Sequence, residues 1–304
     1  MRITSAHAFE TSVSNLQRRQ QGISEAQDRL TSGKRVQKVS DDPSSAAAAI
    51  RALAASRRVD AEQRALGASR NAMLLTESAL GDAGELLQQA RETVMNAGNG
   101  GYSDSERALM ADKLEGLRDD LLKTANRGDG AGRYLFGGKG ADVPPIAANG
   151  LTYNGTAGQA QAASGEPSPL SMDGQAVWLS ELDQALPGST IFAMLDRTVT
   201  ELRTAGRTTA EITQTVADGL GFIDKAQEHL GGWRARAGET LNRIDGIASR
   251  LGQGKLDAER QLSEAEDLDM LQAISEFQNR QSGYDAALKT YSIVQRLSLF
   301  DYVR

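Results

Sequence analysis

The chain has 304 residues, 34 basic against 40 acidic side chains, a net charge of −6 and no cysteine. Disulfides and thiolate metal sites are thereby excluded, and the mildly acidic balance argues against nucleic acid or an anionic membrane surface as partner. Aromatic residues make up 5% and the histidines are His7 and His229 alone, so nucleophile–histidine machinery has little to be built from.

The length suits two or three domains. No stretch approaches the roughly 18–20 apolar residues that span a bilayer. The opening, Met1 to His7, lacks the apolar core of a secretory signal. On these facts alone a cytosolic chain is expected, provided that export always requires a cleaved signal.

A first helix is predicted from about Ser5 to Thr31. Phe9, Val13, Leu16, Gln20, Ile23, Gln27 and Leu30 follow alternating steps of four and three, the a/d seam of a coiled coil. Gly33 supplies a left-handed C-cap. Asp41-Asp42-Pro43 then sets an acidic cap before a first-turn proline, a strong helix start. In the second helix Val59, Leu66, Met73, Leu80, Leu87 and Val94 stand seven apart, with Ala72, Ala79, Ala83 and Ala90 beside them. Some 50 residues without proline predict a rod of roughly 75 Å. Ser103-Asp104-Ser105-Glu106 reads as a capping box, opening a third helix to about Asn126 that carries Met110, Leu114, Leu117 and Leu121. The short link makes it an antiparallel neighbour of the second.

Composition changes after Asn126. Eleven of the 31 glycines and four of the six prolines lie between Gly128 and Gly174. Strands are predicted at Leu151–Tyr153 and Gln175–Leu179, bounded by Asn-Gly and Asp-Gly turns. Helical pattern resumes near Thr190 with Phe192, Leu195, Val199 and Leu202, and Thr208–Asp218 again has helical character. A long helix follows from about Leu220 to Leu251, with Leu230, Ala237, Ile244 and Leu251 seven apart. Gly252-Gln253-Gly254 is the expected break before a last helix beginning near Leu256. In the last helix a second seam runs through Met270, Ile274, Phe277, Gln281, Tyr284, Leu288 and Tyr291.

Each end of the chain thus has a narrow seam and lacks a partner, and the simplest solution is that they pair. The predicted fold is mainly α: an elongated bundle of long antiparallel helices, with paired N- and C-terminal coiled-coil helices and a small β-rich insert domain. Residues 1–42 and 270–304 form the terminal assembly segments, 43–137 and 191–269 the long-helix rod, and 138–190 the β-rich, solvent-facing insert.

The search for catalysis yields no site. His7 and His229 read as structural or solvent-facing. Gly128-Asp129-Gly130-Ala131-Gly132-Arg133 misses the third glycine of a dinucleotide loop, and Gly138-Lys139-Gly140 lacks the hydroxyl residue of a Walker loop. Glu264, Glu266, Asp267 and Asp269 lack the spacing and central glycine of a calcium loop and read as a solvated helix face. Arg18-Arg19 and Arg57-Arg58 are too sparse for a nucleic-acid stripe. No catalytic, cofactor-binding or metal-ligating residue is expected, nor an enzyme, a nucleic-acid partner or a membrane partner.

The seams remain. Gln20, Gln27 and Gln281 weaken a lone helix pair, while Leu297, Leu299, Phe300, Tyr302 and Val303 crowd the end. Such ends are expected to gain their order in an assembly of many copies. The assembly residues are Phe9, Val13, Leu16, Ile23, Leu30, Phe277, Tyr284, Leu288, Tyr291 and Phe300.

Leu30-Thr-Ser-Gly33-Lys-Arg35-Val36 followed by Asp41-Asp42-Pro43 resembles the amino-terminal signature of bacterial flagellins and their relatives, and Gln278-Asn279 with Tyr291–Val303 resembles the partner signature. The likeness covers both ends, about half of the chain, and little of the insert. Within this flagellin-like superfamily the chain is most similar to the members at the hook–filament junction. Leu297-Ser-Leu299-Phe300-Asp-Tyr302-Val303 resembles their ending, Tyr134-Leu135-Phe136-Gly137-Gly138 the opening of their insert and Tyr153-Asn154-Gly155 its first turn. The opening also lacks the Asn-Thr-Asn phrase of flagellins.

The resemblance implies a structural part of the bacterial flagellum, outside the cell. Export would be through the type III export apparatus, with an export chaperone and without a cleaved signal peptide. It implies a ring of about eleven copies between hook-associated protein 1 on the hook side and flagellin on the filament side. The alternative within the family is flagellin itself, the filament subunit; from another class, a coiled-coil enzyme.

Overall fold

The computed structural model describes residues 2–140 and 142–302, and side chains at 7, 9–140 and 142–293. Among these the chain forms α1 (Arg2–Ser32), α2 (Pro43–Ala97), α3 (Asp104–Ala125), α4 (Gly174–Trp178), α5 (Ile191–Arg203), α6 (Thr209–Glu266) and α7 (Met270–Tyr302). It divides into two compact units, one of Met1–Arg58 with Gln253–Arg304, the other of Val59–Gly252. Helices α2 and α6 contribute to both.

In the Val59–Gly252 unit, the seven-residue ladder of α2 faces inward. Leu66, Met73, Leu80, Leu87 and Val94 are buried together with Ala72, Ala79, Ala83 and Ala90. Small and large side chains alternate there, which lets helices approach closely. Helix α6 runs antiparallel to α2, as its ion pairs show: Arg70–Asp245 at 3.1 Å, Glu77–Arg234 at 2.6 Å and Arg91–Asp224 at 2.9 Å. Exposed pairs of this kind fix register more than they stabilise. Burial of Leu230, Ala237, Ile244 and Ile247 supplies the larger contribution, about 1.5–3 kcal/mol for each large apolar side chain.

Helix α3 opens with the predicted capping box. Ser103 Oγ accepts from the Glu106 amide and the Glu106 carboxylate accepts from the Ser103 amide. Arg203 of α5 pairs with Asp112 and Glu115 of α3. Arg118 of α3 is almost fully covered. Its guanidinium donates to the Asn149 carbonyl at 2.9 Å, pairs with Asp196 of α5 at 3.0 Å and lies over the Phe192 ring.

Two expectations are corrected. Residues 138–190 do not make a β-rich insert: among the described residues there are isolated bridges, such as Ile146 with Tyr153 and Gly137 with Asp173, and no sheet. Leu151–Tyr153 contributes one such bridge, and Gln175–Leu179 is not a strand. Asp173 caps α4, its Oδ1 accepting from the Gln175 and Ala176 amides, and the chain coils. Val177 and Trp178, adjacent in sequence, are both fully buried; a strand would have sent them to opposite faces. Trp178 meets Phe136 edge-on at 5.3 Å and stacks with Phe192 at 6.2 Å. The backbone around it is satisfied by single bonds: Tyr153 Oη donates to the Phe136 carbonyl and Met172 N to that of Leu135. At Gly138 (φ +67°) a Cβ would stand 1.8 Å from the Thr156 oxygen, so only glycine passes there.

The second correction concerns the long C-terminal run. Helix α6 is continuous from Thr209 to Glu266, through Gly231, Gly232, Gly246, Gly252 and Gly254. Each glycine costs about 1 kcal/mol in a helix, which the buried face of α6 offsets. The chain instead breaks at 267–269, where the segment after α1 bonds to it: Arg35 N donates to the Glu266 carbonyl at 2.7 Å and Leu268 N to that of Gly33 at 3.0 Å.

His229 is part of the scaffold. Its Nε2 lies 3.1 and 3.0 Å from the Ala176 and Val177 carbonyls and 3.2 Å from the indole Nε1 of Trp233. It ties α6 to the end of α4.

Candidate assembly interface

In the unit of Met1–Arg58 and Gln253–Arg304, α1 and α7 lie antiparallel. The Phe9 and Tyr291 rings meet at 6.0 Å, and thirteen residues further along α1 Arg280 Nη1 donates to the Gly22 carbonyl at 3.1 Å. Glycine lets the arginine ends lie close against each helix. A Cβ on Gly22 would stand 3.0 Å from Arg280 Nη1, and one on Gly283 the same distance from Arg19 Nη1. Each helix thus carries a glycine under an arginine of its partner.

The pair is incompletely covered. No described side chain of α1 or α7 is fully buried. Val13, Leu16, Ile23, Leu30, Phe277, Tyr284 and Tyr291 are half-buried, while Phe9 and Leu288 are 50% and 39% exposed. The Phe300 side chain lies outside the described residues. Gln20, Gln27 and Gln281 are exposed. Large apolar side chains beyond the N-terminal seam add to the open surface: Leu271 is 82% exposed, and Ile274, Ile293, Ile50, Leu53 and Leu256 are exposed as well. The heptad steps pick out Ile274 among these. The others fall outside them, although Leu271 and Ile293 are apolar at positions that a two-helix pair leaves to solvent.

The link from α1 to α2 is built by its charged residues. Gly33 (φ +69°) closes α1, its amide donating to the Arg29 carbonyl at 2.9 Å. Asp41 Oδ2 accepts from the Gln37 and Lys38 amides at 3.1 and 3.0 Å. Asp42 caps α2, taking the Ser44 and Ser45 amides and both hydroxyls. Arg35 joins Asp42, Ser45 and the Ala265 carbonyl, and Lys34 pairs with Glu266. Asp269 Oδ1 accepts from the Leu271 and Gln272 amides and starts α7. Of the acidic cluster read as a solvated face, Glu266 and Asp269 therefore have defined structural partners.

These bonds hold both aspartates below the usual carboxylate range, Asp42 by the Ser45 and Ser44 hydroxyls first and Asp41 by the Lys38 and Gln37 amides. A depressed pKa gives stability that is present above the unfolded value, near 3.8, and that fades as pH falls towards the folded value. The start of α2 is accordingly expected to loosen progressively as pH falls below about 4. Amide exchange at Ser44 and Ser45, corrected for intrinsic rates, should rise between pH 6 and pH 3 in the native chain and change little in the Asp42→Asn variant.

A cleft of about 190 Å³ beside this link is lined by Glu25, Arg29, Arg35, Asp269, Glu276 and Arg280 among others. Its charges are of both signs. No group of three or more His, Asp or Glu side chains able to hold a metal occurs among the described residues, and no described helix is long and apolar enough to cross a membrane.

Residues 4–141 match the family profile of the bacterial flagellin N-terminal helical region. The chain is 29% identical to flagellar hook-associated protein 3 of Salmonella typhimurium over the full length of both. To the flagellin of Bacillus subtilis it is 25% identical, over 91% of this chain and 90% of that one. Among solved structures it resembles a putative flagellar hook-associated protein from Vibrio parahaemolyticus, with a TM-score of 0.66 and 20% identity, over 75% of this chain and all of the other; that likeness concerns the fold.

Proposed function

Because the chain belongs to the bacterial flagellin-like superfamily and resembles its hook-associated protein 3 members over its full length, we propose that it is a structural component of the flagellum that joins hook to filament. Its relatives are structural flagellar proteins, and the work assigned to this chain is mechanical. The observation that carries the reading is the half-covered terminal pair: α1 and α7 find each other, yet neither buries a described side chain completely. Leaving such apolar area in water costs about 25 cal/mol per Å², and a ring of identical copies removes that cost by presenting each pair to its neighbours.

In this reading about eleven copies form the ring, with hook-associated protein 1 on one side and flagellin on the other. The chain reaches its place through the flagellar type III export apparatus, with an export chaperone and without a cleaved signal peptide. Phe9, Val13, Leu16, Ile23, Leu30, Phe277, Tyr284, Leu288, Tyr291 and Phe300 line the contacts.

Immunogold labelling of intact flagella tests this. A single band at the far end of the hook is the expected result. Label along the whole filament would make the chain a flagellin, and absence of label from flagella would remove the proposal.

A further inference from the structure

The sequence contains Asn-Gly pairs at Asn99-Gly100, Asn149-Gly150 and Asn154-Gly155. In Asn-Gly pairs the glycine amide nitrogen can attack the side-chain amide without hindrance from a Cβ. The three sites are held differently, and we propose that Asn99 is a site of spontaneous deamidation while the other two are protected by the fold. This inference does not depend on the flagellar reading.

At Asn149 the attacking group is engaged: Gly150 N donates to the Ala147 carbonyl at 2.8 Å. Gly150 is also fixed at φ +71° and packed against Arg118 and Phe192, which holds it although Asn149 makes an Asx turn, Oδ1 accepting from Leu151 N at 2.9 Å. At Asn154 the amide side chain is tied down, Nδ2 donating to the Pro144 carbonyl at 3.3 Å. Gly155 is wedged against the Tyr153 ring and the Gly137 oxygen. Neither segment can rotate into the five-membered ring without breaking these contacts.

Asn99 lies in the α2–α3 link. Asn99, Gly100 and Gly101 are all exposed, and no atom lies near the position a Cβ on Gly100 would take. Asn99 Oδ1 accepts from Gly101 N at 3.0 Å, which folds the side chain back over the intervening Gly100 peptide, an Asx turn. The carboxamide carbon is thereby carried toward its nucleophile in an exposed link whose turn is held by Asn99 N on the Asn96 carbonyl at 3.0 Å and Tyr102 N on the Asn99 carbonyl at 3.1 Å, neither of which engages Gly100 N. Gly100 N, on losing its proton to solvent base, bonds to Asn99 Cγ. The Cγ–Nδ2 bond breaks and ammonia leaves. Water then opens the succinimide at either carbonyl to give aspartate or isoaspartate, so the net change is one water consumed and one ammonia released. In the isoaspartate product the new carboxylate takes the place of the main-chain carbonyl that Arg107, a side chain 9% exposed, meets through Nη2 at 3.5 Å.

The experiment is incubation of the full-length protein in mildly alkaline buffer, followed by proteolysis, peptide mass spectrometry and isoaspartate assignment. Conversion at Asn99 should exceed that at Asn149 and Asn154 by about tenfold in the native chain, and the three should converge in urea, where protection by structure is lost. Gly100→Ala, which the open space and negative φ accommodate, should suppress conversion at position 99 alone. Equal native rates at the three sites, or undiminished conversion in Gly100→Ala, would overturn the proposal.

Discussion

Replacing Leu16 by Asp is expected to remove the chain from the flagellum while leaving the Val59–Gly252 unit folded. Leu16 stands half-buried on α1 within the paired α1–α7 region. A carboxylate there must either lose water or force the helices apart, at a cost of roughly 3 kcal/mol. That is about a hundredfold in a binding constant, and in a ring the loss recurs at each subunit. Incorporation, read by immunoblot of sheared flagella, should fall to background. The melting of the Val59–Gly252 unit should not shift, because its core of Leu80, Leu87, Leu114 and Trp178 includes no residue from α1. Leu16→Met, apolar and of similar volume, should incorporate normally. Unchanged motility with Leu16→Asp would count against assembly through the terminal pair.

The opposite pattern is expected for Trp178→Ala. Trp178 is fully buried between Phe136 and Phe192, so truncation should cost about 3–5 kcal/mol and lower the melting temperature of the Val59–Gly252 unit by roughly 10 °C, at about 2–4 °C per kcal/mol for a unit of this size. Helicity of the terminal pair should stay as it was. Trp178→Phe keeps the ring contacts and should recover most of the loss. Calorimetry checks this; an Ala variant that melts like the native chain would show that the segment carrying α4 lies outside the core.

The two substitutions also separate what was legible in the chain from what was not. The α2 ladder from Leu66 to Val94 and the Ser103 capping box could be read directly, because heptad burial and local capping are short-range in sequence and recur at fixed spacing. The strand expected at Gln175–Leu179 was misread because β-propensity depends on a neighbouring strand, and none is present there. Asp173 instead offered its carboxylate to the next amides, and a one-turn helix put Val177 and Trp178 on the same side. The break expected at Gly252–Gly254 was misplaced for a related reason: glycine weakens a helix by a small amount that buried side chains outweigh, whereas the bonds from Gly33 and Arg35 to 266–268 join positions more than two hundred residues apart.

At the candidate interface, the residue types and spacing of the seams were visible, but Arg19 over Gly283 and Arg280 over Gly22 were not. A glycine in one helix and an arginine in another have no shared period to betray them.

The amino-acid sequence by itself determined the helical class, the apolar seams at both ends, the caps at Asp42 and Ser103 and the family signatures, since each depends on neighbours within a few turns of the same chain. The tertiary structure decided where α6 ends, how residues 138–190 fold and how much of α1 and α7 stays uncovered. Those depend on contacts between segments distant in sequence, where the free energy of burial and of long-range hydrogen bonds outweighs local preference.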